Sequence, residues 1–363
     1  MNIQPSRRTV LLLGVPALVL SAVATLLAGA ALRTAGRDQG SDTVLRFTAA
    51  VELLAAPSEV VRASGVYALE ALLRQAPVEQ PTVTSVLATF VRRQSQADAA
   101  AGADGSASQP AGTGQPAGAG RRPGEDVQAA LTVLGRRDAR WDRPGDRVDL
   151  TGAVLTGVSL VRARLTGALL TGARLDGADL TGAQLDRVDL GDADLRGAVL
   201  DRASLREARL DGADLTEARI NMAMLDRATL AGAVLAGAAL DGTGLTGAVL
   251  VGADLRGARL DATNLTAADL TGANLTDAYL GSVTAAGAEL VRARLVGANL
   301  VDVDLTDARL TGANLNRALM HGATMVATEV TAEQISCASL SDRTLLPATI
   351  TTTPGVPAPS CAD

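Results

Sequence analysis

A leucine recurs at every fifth position from Leu150, through Leu155, Leu160, Leu165, Leu180 and Leu200, to Leu315. Ile220 and Ala285 are substitutions in that train, and Met320 and Met325 continue it. Two residues before each stands a small side chain, usually Ala, as at Ala153, Ala178 and Ala213. Val148, Val158, Val188, Thr243, Thr263, Val283 and Val303 are the larger exceptions. Neither common backbone period accommodates this spacing. On a helix five residues advance about 500°, so the leucines would spiral over every face. On a strand a step of five alternates the faces. A chain that turns a corner every five residues resolves the conflict. Each side then sends its Leu and its Ala inward and leaves three positions to the solvent.

This arrangement predicts a core of Leu155, Leu160, Leu165, Leu180, Leu200, Ala178, Ala213 and their equivalents. Larger side chains at the Ala positions would overpack a narrow shaft. Backbone groups pair between stacked coils, so each coil needs neighbours and the two ends need caps. The composition agrees: 47% of residues are hydrophobic but only 1% are aromatic, as a regular core of Leu and Ala requires.

The same composition argues against several chemistries. All 33 basic residues are Arg, which removes a phosphate-loop lysine and a Schiff-base lysine. His321 is the sole histidine, so no multi-histidine metal site can form. Cys337 and Cys361 make neither a Cys-x-x-Cys motif nor a disulfide framework. They are expected as free thiols, pairing only if the C-terminus is exported. The net charge of −6 disfavours nonspecific nucleic-acid binding. Gly242-Thr243-Gly244-Leu245-Thr246-Gly247 matches a dinucleotide fingerprint by letter. It lies inside the leucine train, without the strand-to-helix context that motif needs. No catalytic, cofactor-binding or metal-ligating residues are expected, and the chain is not expected to be an enzyme.

The N-terminal part has a different organisation. Residues 9–32 carry no charge and are almost wholly apolar, long enough for a spanning helix. The run exceeds the usual apolar stretch of a secretory signal, which favours an anchor; cleavage at Ala28-Gly29-Ala30 is the alternative. Arg7 and Arg8 precede it, and Arg33, Arg37 and Arg46 follow. That count leans toward a single-pass membrane protein with a cytoplasmic body. Residues 39–94 read as a small α-helical module with Phe47, Tyr67 and Phe90 in its core, and Ser58 as a helix N-cap. Residues 95–124 are rich in Ala, Gly, Ser, Gln and Pro and read as a flexible linker. Residues 125–145 form a helix and N-terminal cap, with Glu125 and Asp126 in the first turn and Arg136 and Arg137 in the last. The array fills 146–330. In the C-terminal part, 331–363, Thr331 to Gln334 starts a short helix. Leu340, Leu345 and Leu346 are expected to cover the open end, and the tail from Pro354 is expected to be disordered.

Units such as Ala178-Asp179-Leu180-Thr181-Gly182, Ala213-Asp214-Leu215 and Ala298-Asn299-Leu300 resemble the pentapeptide-repeat family. The resemblance implies a mainly β fold, a right-handed quadrilateral parallel β-helix with four five-residue sides per coil, preceded here by the transmembrane helix and the helical module. About 36 units would then make nine coils, a rod of roughly 43 Å. The front part is similar to membrane-anchored bacterial members of that family, through Arg46-Phe47, Ala50, Glu52 and Leu54, and through Val61-Arg62, Gly65 and Tyr67-Ala68-Leu69-Glu70.

One stretch invites a contact. Between Thr229 and Gly252 only Asp241 is charged. Val234, Ala236, Ala239, Val249 and Val251 would form an uncharged girdle, a candidate surface for self-association or an unknown protein partner. The expected function is a non-catalytic, membrane-tethered scaffold, with the membrane engaged through residues 9–32. A DNA mimic that binds a topoisomerase is one alternative, since the resemblance includes such proteins. Residues 146–330 carry 24 acidic and 17 basic residues, a mixed surface unlike a polyanion. A secreted repeat protein is the other alternative.

Overall fold

The computed structural model describes residues 39–104 and 122–350. The apolar run 9–32 and the tail from Pro354 lie outside the described residues. Among the described residues no helix is long and apolar enough to cross a membrane. The chain divides into two compact units, residues 1–80 and 81–363.

The described residues of the first unit form a helical hairpin. Helix α1 (Gln39–Leu54) and helix α2 (Glu59–Gln75) pack against each other, and a short 3-10 turn (Pro77–Glu79) follows. Phe47, Ala50, Val51 and Leu54 are buried on α1, and Gly65, Val66, Leu69 and Leu72 on α2. Gly65 sets the closeness of the crossing: a Cβ there would lie 2.8 Å from the Ala50 carbonyl oxygen and 2.9 Å from Leu53 Cβ. Only one of the three expected aromatic core residues is buried. Phe47 is enclosed, but Tyr67 is 58% exposed and Phe90 is half-buried on the next helix, in the other unit. Ser58 does occupy the N-cap of α2 in extended conformation, yet its side chain makes no capping hydrogen bond.

The second unit is a parallel β-helix. Residue n pairs with residue n+20, from Asp149 with Leu169 through to Arg309 with Glu329. Four five-residue sides therefore close each coil, and nine such steps carry the chain from Asp149 to Glu329. The Leu and Ala positions fill the shaft: Leu155, Leu160, Leu165, Leu180, Leu200, Ala178 and Ala213 are all buried. Each corner is a four-residue turn in which the amide of the small residue donates to the carbonyl of the preceding Leu, as from Ala178 to Leu175 at 2.9 Å. The residue before the small one has left-handed backbone, φ +64° at Gly177. Glycine adopts that region without a Cβ penalty, hence its frequency at this position.

Four of the larger residues at small positions line up, while Val148, Val158 and Val188 lie in other columns. With a period of 20, Thr243, Thr263, Val283 and Val303 stack in one column on one side. The two threonines bury their hydroxyls and donate them to the carbonyls of Ile220 and Leu240, at 2.8 and 2.9 Å. The two valines strain their corners: the turn bonds Val283 to Leu280 and Val303 to Leu300 stretch to 3.4 Å, against 3.1 Å for Ala278 and Ala298. Ala285, the break in the leucine train, follows Val283 on the same side. Val-x-Ala here stands for Ala-x-Leu. The exchange leaves only an apolar void of about 10 Å³ among Leu265, Ala285, Val303 and Leu305, at the lower limit for one water.

Both ends are sealed. Helix α3 (Gln80–Asp104) runs ten residues into the stretch expected as linker, and residues 105–121 of that stretch lie outside the described residues. Its Ser95 hydroxyl accepts the Val154 amide at 3.1 Å. Helix α4 (Glu125–Arg136) seals two further sides of the first coil. Gln128 accepts the Ser159 amide at 2.9 Å and donates back to the Ser159 carbonyl at 2.8 Å. The Gly135 carbonyl accepts the Arg164 amide at 2.8 Å. Gly135 lies so close that a Cβ there would stand 2.9 Å from that of Ala163. At the far end helix α5 (Ala332–Ile335) starts from a capping box between Thr331 and Gln334. Ile335 is buried, and Gln334 donates to the Leu310 and Ala313 carbonyls. Leu345, expected to cover the end with its side chain, is instead 53% exposed. Its backbone does the sealing, accepting the Met325 amide at 2.7 Å.

Candidate interaction faces

With both ends covered, the solvent-facing surface of the stack is its four sides. Each side exposes three columns: the residue before each Leu and the two that follow it. The amide of the first residue after each Leu has no backbone acceptor in the stack. Asp and Asn fill that gap in two ways. An Asp or Asn just before the Leu reaches across it, as Asp179 does to the Thr181 amide and Asp214 to the Thr216 amide, both at 3.0 Å. Alternatively, an Asp or Asn after the Leu caps the equivalent amide one coil on. Asp201, Asn221, Asp241 and Asp261 do this in succession, toward Asn221, Asp241, Asp261 and Gly281 at 2.9–3.2 Å. The Ala-Asp-Leu signature is therefore a hydrogen-bond rule as well as a packing rule.

Arginines pair with these carboxylates. Arg196 and Arg256 each grip the Asp two residues earlier with two bonds of 2.6–2.8 Å. Those hydrogen bonds hold the carboxyls of Asp194 and Asp254 below the usual aspartate range, against the opposing effect of burial. On the first side Arg309 bridges Glu289 below and Glu329 above, at 3.1 and 3.3 Å. Burial would raise the Asp149 carboxyl, but bonds from Thr151 and from Arg92 of α3 outweigh it and lower it.

The register distributes the uncharged girdle around the shaft. Val234 and Ala236 belong to the side that begins at Val154, Ala239 to the next side, and Val249 and Val251 to the side that begins at Asp149. Val234 is stacked between Asp214 and Asp254, and Ala239 between Arg219 and Arg259. The five therefore form a belt across three sides, with charged columns above and below much of it. Val251 is the exposed valine of the set, at 38%. Sequence reasoning missed the larger exposed apolar side chains: Met222, Tyr279, Leu319 and Val326. The signal was present, since each is a bulky residue at an outward position of the five-residue frame.

Gly242, Gly244 and Gly247 are corner and side positions of the stack, the first and last with left-handed backbone. His321 is a corner side chain whose Nε2 lies 2.7 Å from the Ser339 hydroxyl. Among the described residues no group of His, Cys, Asp and Glu could hold a metal ion. Cys337 is disulfide-bonded, which corrects the expectation of free thiols; Cys361 lies outside the described residues.

A shaft of this kind defines a non-globular solenoid protein whose surface is a set of parallel ladders. The chain belongs to the pentapeptide-repeat family. The family model described as Pentapeptide repeats matches in eight copies, over residues 146–183, 183–221, 223–261, 263–300 and 288–325. The family's proteins form right-handed β-helices. Among solved structures the chain is similar to HetL, a pentapeptide repeat protein involved in heterocyst differentiation regulation from the cyanobacterium Nostoc. Identity is 32% over 54% of this chain and 86% of that one, with a TM-score of 0.44. A pentapeptide repeat protein of the Arabidopsis thaliana thylakoid lumen is 34% identical over 27% of this chain and 66% of that one, TM-score 0.21. Full-length QnrB1, a plasmid-mediated fluoroquinolone resistance protein, is 18% identical over 53% of this chain and 91% of that one, TM-score 0.24. No curated protein matches the sequence. Pentapeptide-repeat proteins are in general non-enzymatic structural or interaction proteins, and no catalytic family is indicated.

Proposed function

We propose that the chain is a non-catalytic scaffold, tethered to a membrane through residues 9–32, whose β-helical rod presents its sides to a protein partner. The observation that carries this reading is the sealing of both ends while bulky apolar side chains stand out from the sides. Tyr279 is 50% exposed, and Met222, Leu319 and Val326 are similarly open. A sealed stack has no free β edge through which to grow, so recognition falls to these columns. The carboxylates and arginines between them are largely occupied with each other and with backbone amides, which suits a stiff presenting surface rather than a reactive one.

The test is capture of partners by the tagged full chain, with the wild type compared against Tyr279→Arg with Leu319→Arg and against Val234→Arg with Val249→Arg. Loss of the same band in either double variant supports a side-face scaffold and says which region is used. Unchanged capture and unchanged oligomer size in both would remove these surfaces from consideration. The topoisomerase-mimic reading is disfavoured by the pairing of Arg with Asp between adjacent columns, such as Arg219 with Asp201 and Arg259 with Asp241. That reading predicts inhibition of DNA supercoiling by the added protein; no inhibition at micromolar concentration would dispose of it.

A further inference from the structure

The side of the rod that begins at Val154 carries opposite charge on its two halves. Between Arg174 and Glu217 this side and its two edges hold five carboxylates and two arginines. Between Asp277 and Arg317 they hold three arginines and one carboxylate. The middle, from Gly232 to Gly257, carries only Asp254 and Arg256, which are bonded to each other at 2.6 Å. The edge shared with the side that begins at Asp149 is glycine at every coil from Gly152 to Gly312, with two exceptions. These are Asp192 and Arg292, which hold left-handed backbone, φ +56° and +58°, where a side chain carries strain. Both are exposed, as is Arg294. Among the described residues none of these three side chains has a hydrogen bond or ion pair. Asp192 lies five coils from Arg292, and Asp194 five coils from Arg294, about 24 Å at strand spacing. Both pairs have the same midpoint, between the rungs of Val234 and Asp254.

We propose that a second copy of the chain docks antiparallel on this side, about a two-fold axis at that midpoint. Such an axis lays each column of the face on its own reverse, so every meeting occurs twice. Asp192 faces Arg292 of the second copy, Asp194 faces Arg294, and Asp214 faces Asn274. The Thr276 amide and hydroxyl hold the Asn274 Oδ1, at 3.2 and 2.7 Å, which turns its Nδ2 outward as a donor. Asp214 is the counterpart: its Oδ1 takes the Thr216 amide and hydroxyl, at 3.0 and 2.5 Å, and Oδ2 is left to accept. At the centre Val234 and Ala236 meet the closed Asp254–Arg256 pair of the second copy, so this part of the girdle lies inside the contact. The glycine edge lets the two stacks approach without corner side chains between them. A parallel arrangement would set the five carboxylates against themselves, so the charge pattern selects the antiparallel one. On the opposite edge Glu217 meets Asp277, which weights the contact toward the Asp192 edge. This pairing rests on the reading of the sides as protein-binding faces and does not depend on the tether.

The experiment co-purifies two differently tagged copies of the full chain in nonionic detergent. Wild-type copies should associate, and the yield should fall about tenfold or more as salt rises from ~0.05 to ~0.5 M, because these exposed charges are screened. Asp192→Arg with Asp194→Arg makes both halves basic, and Arg292→Asp with Arg294→Asp makes both acidic. Each double variant alone should lose self-association. Mixed together, the two should co-purify again, and the quadruple exchange should restore self-pairing; misfolded variants would do neither. A photo-reactive residue in place of Thr216 should cross-link to the peptide around Thr276 of the other copy. No wild-type association at low salt would overturn the proposal. So would association that persists in both double variants, which places the contact elsewhere. A monomeric wild type that captures an acidic protein, lost in Arg292→Asp with Arg294→Asp, would replace the second copy with that partner. A monomeric wild type that still captures a protein through Tyr279 and Leu319 would sink the pairing and leave the scaffold.

Discussion

The Val283–Ala285 unit offers a sharp test of how the shaft is packed. Val283 occupies a position made for Ala, and Ala285 one made for Leu. Val283→Ala removes two buried carbons, worth about 1.6 kcal/mol at roughly 0.8 kcal/mol each. The enlarged void raises the cost to about 2 kcal/mol. Ala285→Leu adds three carbons beside a void of only about 10 Å³, with the Val283 corner already stretched to 3.4 Å. Overpacking of that kind costs about 1–3 kcal/mol. The double variant restores Ala-x-Leu, with one carbon more than the wild type, and should come within about 1 kcal/mol of it. The coupling between the two sites is then about 3 kcal/mol, the top of the range for touching residues. Urea denaturation of the full chain, followed by circular dichroism, measures all four corners of the cycle. The slope must stay constant for the midpoints to be read as stability. Effects that simply add, to within about 0.5 kcal/mol, would refute the idea that the valine substitutes for the missing leucine.

Other consequences follow from the same geometry. Asp194 and Asp254 have carboxyls lowered in the folded state by their arginines. Their stabilisation is complete above the unfolded aspartate value, about 3.9, and is lost as pH falls through the lower folded values. The urea midpoint should therefore be flat near neutrality and drop below about pH 4, less steeply in Asp194→Asn with Asp254→Asn. Gly177→Ala meets no atom within 4 Å but keeps φ near +64°; it should cost about 1 kcal/mol from backbone strain alone. Gln128→Ala removes both bonds to Ser159 at the first coil and should lower stability by about 1–3 kcal/mol, with faster amide exchange at Ser159 as its local signature. Gly65→Ala should loosen the α1–α2 hairpin, read as increased amide exchange across α1 with the coil amides unchanged.

Much of the architecture is legible because its causes are local. A corner every five residues follows from a Leu and an Ala that must point inward and from a left-handed residue that only glycine adopts freely. Each cause acts within a single unit, so the sequence by itself determined the core, as at Leu155 and Ala178. It also located the short helix that starts at Thr331 to Gln334, while the capping box there emerged from the structure. Contacts between distant residues were a different matter. Closure at 20 residues per coil depends on amides and carbonyls of different coils meeting, and the five-residue period alone does not state how many sides a coil has. Only the tertiary structure therefore decided which outward residues share a side. It placed the girdle residues on three sides and gathered Thr243, Thr263, Val283 and Val303 into one column. The role of α3 as a seal was hidden for the same reason: the Ser95 hydroxyl bonds locally only to the Arg92 carbonyl, and the Val154 amide that it accepts lies 59 residues later along the chain.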